Sequence, residues 1–141
     1  MAISYSPKVG QILMCDFTTG FIEPEMVKKR PVIILATRPN GHKLVTAVCL
    51  STVKPEPQQP HHMLLEQAHL PKLKFFESGK ETWVKGDMIY SVSFDRLDLI
   101  LTGKQNGKRV YFINRLSRET MRNVYSCTLN GLNLGKLSQH L

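Results

Sequence analysis

Apolar residues along this chain fall in short runs separated by turn formers, not in long helical stripes. Gln11 to Phe17 (Gln-Ile-Leu-Met-Cys-Asp-Phe) follows Gly10 and predicts a first strand. Val32-Ile33-Ile34-Leu35 is continuously apolar and rich in β-branched residues, which predicts a buried strand. Pro31 suits only its first residue, because proline has no N–H for the ladder. It also biases Arg30 towards an extended backbone. Asn40-Gly41 is a hairpin signal. The returning strand is Lys43 to Leu50, where Leu44, Thr46, Val48 and Leu50 alternate with Val45, Ala47 and Cys49.

Val53 to Pro60 carries Pro55, Pro57 and Pro60, so it predicts a surface crossing. His61 to Leu65 resumes a short strand, and Gln67 to Lys80 reads as irregular and basic. Glu81 to Val84 leads into Lys85-Gly86-Asp87, and Met88 to Val92 predicts another strand. A turn at Asn106-Gly107 precedes a strand over Arg109 to Ile113.

Helical spacing appears once. Ser117 is a good N-cap, with Leu116 and Met121 as a hydrophobic staple around it. Met121, Val124, Tyr125, Thr128, Leu129 and Leu132 recur on one face, and Gly131 supplies the stop. Strands followed by a helix predict a mainly β (α+β) fold, a small antiparallel barrel with a C-terminal helix. A single domain spans 1–141, with a Pro-rich and basic insertion at about 53–82 and the helix at about 118–130.

Composition narrows the class. The chain has 141 residues, 42% of them hydrophobic and 21% charged, which excludes a disordered chain and suits one globular domain. Nineteen basic residues against eleven acids give a net charge of +8. That excess suits a polyanionic partner, and it also suits simple solubility. Cys15, Cys49 and Cys127 are odd in number and form no CxxC pair, so neither a disulfide framework nor a zinc site is expected. A reducing cytoplasm is the natural setting. Met1 to Gly10 has no long apolar run, and no stretch approaches a membrane span, so no membrane partner is expected.

Three polar clusters lie at strand ends or in loops: Lys28-Lys29-Arg30, Ser51-Thr52 and Lys85-Gly86-Asp87. Arg30 begins one strand and Ser51 ends its hairpin partner, so antiparallel pairing puts both at one end of the sheet. Such a cluster suits a phosphodiester. Arg30 can bond two phosphate oxygens, Ser51 and Thr52 can donate further bonds, Asp87 can act as a base and Lys85 as a charge stabiliser. Lys28, Lys29, Lys54 and His61 are further candidates for contacting a nucleic-acid backbone. The same lysines also suit ordinary solvated positions. His61 and His62 are adjacent on an expected strand, so their side chains should point to opposite faces and not form a pair. No metal-ligand spacing is visible, and no cofactor is expected. Trp83 and Phe75-Phe76 can stack on unpaired bases or fill the core.

These residues together resemble the PemK/MazF family of toxins from type II toxin–antitoxin systems. The resemblance rests on Val9-Gly-Gln-Ile-Leu-Met-Cys-Asp-Phe17, an acidic loop, Lys29-Arg-Pro-Val-Ile-Ile-Leu35, a strand closing in Leu50-Ser-Thr52, and Trp83 to Leu97. It implies an SH3-like barrel, a homodimer, an antitoxin partner and DNA binding through the antitoxin complex. It also implies metal-independent cleavage of single-stranded RNA at a short sequence, by attack of a ribose 2′-hydroxyl that leaves a cyclic phosphate and a 5′-hydroxyl. In the family the arginine before the proline is catalytic, matched by Arg30, as is a Thr/Ser pair, matched by Ser51-Thr52. Lys85 and Asp87 match a further basic–acidic pair, with Lys where Arg is usual. The related CcdB-type fold implies an alternative, a gyrase poison. Those proteins depend on a Trp near the C-terminus, whereas the single Trp here is Trp83. A basic RNA-binding module with a degenerate site is the third reading.

Overall fold

A computed structural model describes residues 3–71, 76 and 80–141. Lys72, Lys74 and Phe75, which contributed to the basic and stacking expectations, lie outside the described residues. The elements in chain order are β1 (Ile12–Asp16), β2 (Lys29–Ala36), β3 (Leu44–Ser51), β4 (His62–Leu65), β5 (Thr82–Ser93), β6 (Leu97–Asp98), β7 (Ile100–Gln105), β8 (Lys108–Phe112) and α1 (Arg118–Gly131). Six strands make one sheet in the order β4-β5-β3-β2-β1-β6, with every pairing antiparallel, and β7–β8 form a separate hairpin. The expected class therefore holds. Among the described residues the ladder runs open from β4 to β6, so the barrel is not closed by hydrogen bonds.

Period-2 alternation sorts the strands' side chains into two cores. Ile12, Ile33, Leu35, Val48, Leu50 and Val84 point to one face, where they meet Met121, Val124 and Cys127 of α1. Leu13, Cys15, Val32, Ile34, Val45, Ala47 and Cys49 point to the other. This double burial explains why β2 reads as an unbroken apolar run. Each such buried aliphatic contributes roughly 1.5–3 kcal/mol relative to exposure.

The turns form where the sequence indicated. Asn40 and Gly41 have φ of 57° and 73°, and Asn106 and Gly107 have 53° and 78°, the left-handed pair that Asn-Gly accommodates. Ser117 Oγ accepts the Thr120 N–H at 3.1 Å, an N-cap worth about 1 kcal/mol. Two local readings change. Gly131 does not stop the helix; it is the last helical residue, and the left-handed position falls on Asn133 (φ 61°). The separate lead-in and strand expected at 81–92 are one strand, β5, with an interruption. Val48 pairs with Ile89, but Cys49 pairs with Lys85, so Gly86, Asp87 and Met88 are looped out of the ladder.

Candidate active site

The β-ladder sets out two rows of side chains across one face of the sheet. The Val32–Cys49 pairing, continued two residues, brings Arg30 opposite Ser51. Ser51 is in turn opposite Trp83, and Arg30 is opposite Cys15. The next row runs His62, Lys85, Cys49 and Val32. Residues directly opposite each other share a face, as do residues two apart in one strand. Arg30, Ser51, Lys85 and His62 therefore share the face that carries Cys15, Val32 and Cys49. Strand pairing alone gathers three of the five expected catalytic residues.

Asp87 joins them through the bulge, which glycine makes possible. The Gly86 N–H donates to the His61 carbonyl at 2.7 Å. A Cβ on Gly86 would overlap the Cys127 carbonyl oxygen, and one on Gly131 would overlap the Gly86 carbonyl. Helix and bulge thus meet backbone to backbone. Cys127 Sγ adds a bond to the same His61 carbonyl at 3.0 Å. Asn130 Nδ2 reaches the Pro60 carbonyl at 3.3 Å.

A cleft of about 490 Å³ opens beside Arg30, lined also by Glu23, Glu25, Met26, Lys28 and by Met88 of the bulge. The 18–28 loop that walls it is anchored. Phe17, Phe21 and Tyr90 form a ring cluster with centroids 5.1–5.5 Å apart. Tyr90 Oη accepts the Met26 N–H at 2.9 Å. The Arg96 guanidinium lies 4.7 Å from the Phe21 ring centre and donates to the carbonyls of Asp16 and Thr19. Ile22, in the same loop, is exposed.

The other expected residues are placed as follows. Ser51 is buried, and its Oγ accepts the Val53 N–H at 3.1 Å, which leaves its proton to donate. Thr52 is half-buried just beyond β3, while Lys28, Lys29 and Lys54 are exposed. Asp16 bonds Thr18, whose hydroxyl and N–H hold its carboxyl below the usual range. Trp83 and Phe76 are buried, so neither offers a stacking face. Burial pushes the thiols of Cys15 and Cys49 up to about 12 and that of Cys127 to about 11, which suits core residues and not nucleophiles. Burial lowers the Lys85 ammonium, opposed by Asp87.

The histidine expectation is overturned. His61 and His62 do not diverge; their ring centroids are 4.2 Å apart. His61 lies in the turn before β4, so strand alternation does not apply to it. Pro60 was the available signal for that turn. His61 Nε2 lies 3.5 Å from Asp87 Oδ2. His61, His62 and Asp87 offer ligand atoms all within 4.8 Å of one another, although no sequence spacing announced them. They fit a metal poorly. His62 Nδ1 accepts the Gln59 N–H at 2.9 Å, so the neutral ring carries its proton on Nε2 and has no lone pair left for an ion. Burial lowers the His62 imidazole, with the charges of His61 and Lys85 adding and Asp87 opposing.

Residues 8–129 match the family described as PemK-like, MazF-like toxin of type II toxin-antitoxin system. The chain belongs to that family. It is 32% identical over 150 residues to the YifN protein of Escherichia coli (strain K12), covering 94% of this chain and 96% of that protein. The PemK/MazF fold is also visible in solved structures. MazF from Deinococcus radiodurans superposes with a TM-score of 0.61 at 17% identity, covering 92% of this chain and 99% of that one. An endoribonuclease from a mycobacterial species, in complex with its cognate antitoxin, gives 0.58 at 21% identity, covering 91% and 96%. Among the described residues of this PemK/MazF member, no helix is long and apolar enough to cross a membrane.

Proposed function

We propose that this chain is a sequence-specific endoribonuclease toxin that cuts single-stranded RNA. The observation that carries this reading is the row geometry: Arg30 across from Ser51, on the face that bears Lys85, with Asp87 carried beside them by the bulge. Three cationic or hydroxyl donors on one face of neighbouring strands suit a cradle for a phosphodiester. The nucleophile is the RNA's own 2′-hydroxyl, so no ion is needed to generate one. Arg30 stabilises the charge that grows on the phosphoryl oxygens. Ser51, Thr52 and Lys85 hold the scissile phosphate, and the 2′-hydroxyl proton leaves towards the Asp87 side of the site. Attack expels the 5′-oxygen and leaves a 2′,3′-cyclic phosphate and a 5′-hydroxyl.

Lys28, Lys29 and Lys54 supply further positive charge for the RNA backbone, and the 18–29 loop gates access to Arg30. The protein works as a homodimer. An acidic antitoxin segment competes with RNA for the basic side chains Lys28, Lys29, Arg30 and Lys85, in a cytoplasmic setting.

The test is incubation of the pure protein with mixed-sequence RNA in EDTA, with the product ends sequenced. The wild-type chain should cut and leave 5′-hydroxyl ends. Arg30→Ala should lose at least about a hundredfold to a thousandfold in rate, the usual effect of removing one preorganised charge donor, while its circular dichroism is unchanged. Normal cutting by Arg30→Ala would refute the assignment. Binding without cutting by the wild type would favour a non-catalytic RNA-binding module.

A further inference from the structure

The reaction above leaves His61 without a task, yet its placement is specific. Its side chain is 24% exposed and its Nε2 faces the half-exposed Asp87 carboxylate at 3.5 Å. The backbone, not the ring, fixes it there, because its carbonyl takes both the Gly86 N–H and the Cys127 thiol. Its Nδ1 makes no hydrogen bond among the described residues. The neighbouring His62 cannot take a proton on Nδ1 without losing the Gln59 N–H, and burial together with adjacent positive charge lowers its pKa. One imidazole is thus locked, and the other is oriented by a carboxylate with a nitrogen to spare.

We propose that His61 is the general base of the cleavage reaction and Asp87 its positioning residue. The inference rests on the nuclease reading and specifies where the 2′-hydroxyl proton goes. The Asp87 carboxylate, 3.5 Å from His61 Nε2, favours the proton on that nitrogen and so leaves Nδ1 as the basic atom, the arrangement a carboxylate imposes on a catalytic imidazole. Imidazoles titrate near 6.5 and carboxylates near 3.9 in water, so the ring is the stronger proton acceptor close to neutrality. As O2′ bonds to phosphorus, the O2′–H bond breaks and its proton passes to His61 Nδ1. The P–O5′ bond breaks, and O5′ takes a proton from water. The imidazolium then returns its proton to water, so the proton count closes and nothing is oxidised.

The charged and titratable groups around His61 are His62 of β4, which has Lys85 of β5 opposite it, Asp87 of the bulge and the Cys127 thiol of α1. The experiment is the pH–rate profile of RNA cleavage in EDTA. The wild-type rate should rise about tenfold per pH unit below the imidazole pKa and then level off. His61→Gln should fall by about 10²- to 10⁴-fold and lose that limb. Asp87→Asn should be slower, with the limb moved to lower pH, because the amide no longer stabilises the imidazolium. His61→Ala should regain rate with added imidazole, an effect that a purely structural role for the ring would not produce. His69→Gln, beyond β4 and 3.9 Å from Glu66, should keep the wild-type profile. The folds should survive, since the anchoring contacts are backbone ones. If His61→Gln or His61→Ala cuts with the wild-type rate and profile while Arg30→Ala is inactive, the nuclease stands and the base assignment falls. If His61→Ala is inactive and imidazole restores nothing, the assignment also falls. A wild-type chain that leaves RNA intact removes both.

Discussion

The two faces of one sheet are finished in opposite ways. On one, α1 lies so close that Gly131 and Gly86 touch through their backbones, and Met121, Val124 and Cys127 complete a buried apolar core. On the other, the rows through β2, β3 and β5 end in Arg30, Ser51 and Lys85, and an anchored loop leaves a cleft of about 490 Å³. The same alternation builds both. The difference teaches that the face of the candidate site borrows its rigidity from the helix-covered one. Asp87 is held because the residue before it is clamped from behind.

The strongest way to break this arrangement is at the clamp. Gly131→Ala forces a Cβ into the Gly86 carbonyl, and both partners are backbone, so neither can swing aside. Overpacking of that kind costs about 1–3 kcal/mol, which a denaturant titration should resolve. RNA cleavage should fall alongside, although residue 131 lies on the far face. Unchanged stability with unchanged cutting would show that the clamp is not needed.

A milder probe compares the buried thiols. In the folded chain Cys15 and Cys49 are pushed up to about 12 and Cys127 to about 11, by burial. The unfolded chain ionises them from about 8.5 upwards, so there the folded state binds more protons. Their stabilising contribution is complete below that pH and is lost as pH rises towards about 11–12. Each thiol gives a slope of about 1.4 kcal/mol per pH unit within the window. Urea midpoints should therefore drop between pH 8.5 and 10.5, and a Cys15→Ala/Cys49→Ala double variant should show a shallower drop from a lower starting stability. Parallel curves for the two proteins would contradict this.

The smallest effect belongs to the open face. Tyr90→Phe removes the hydroxyl that receives the Met26 N–H. One such bond is worth about 1 kcal/mol. Global stability should fall by no more than that, while amide exchange at Met26 quickens and the α1 amides keep their protection. Equal quickening in α1 would mean that the two faces are not separable.

Much of the fold was readable because local chemistry and long-range pairing agree. Pro31 at the head of β2, the two Asn-Gly turns and the Ser117 cap each specify their own neighbourhood. From these the opposition of Arg30 and Ser51 follows by geometry. The bulge was not readable, because Lys85-Gly86-Asp87 looks like an ordinary turn until β3 and β4 flank it. Gly131 misled for a related reason: a glycine near a helix end usually marks a stop, and here it marks the approach of another backbone. His61 was misplaced because one residue decides whether alternation has begun.

The carbonyl of His61 carries a wider meaning. It is the main chain at this position that fastens β4, the bulge and the helix together, and any amino acid brings an identical main chain. The side chain there is consequently a detachable tool on a permanent handle. A substitution there changes what faces Asp87 while the grip, made by the carbonyl alone, stays in place.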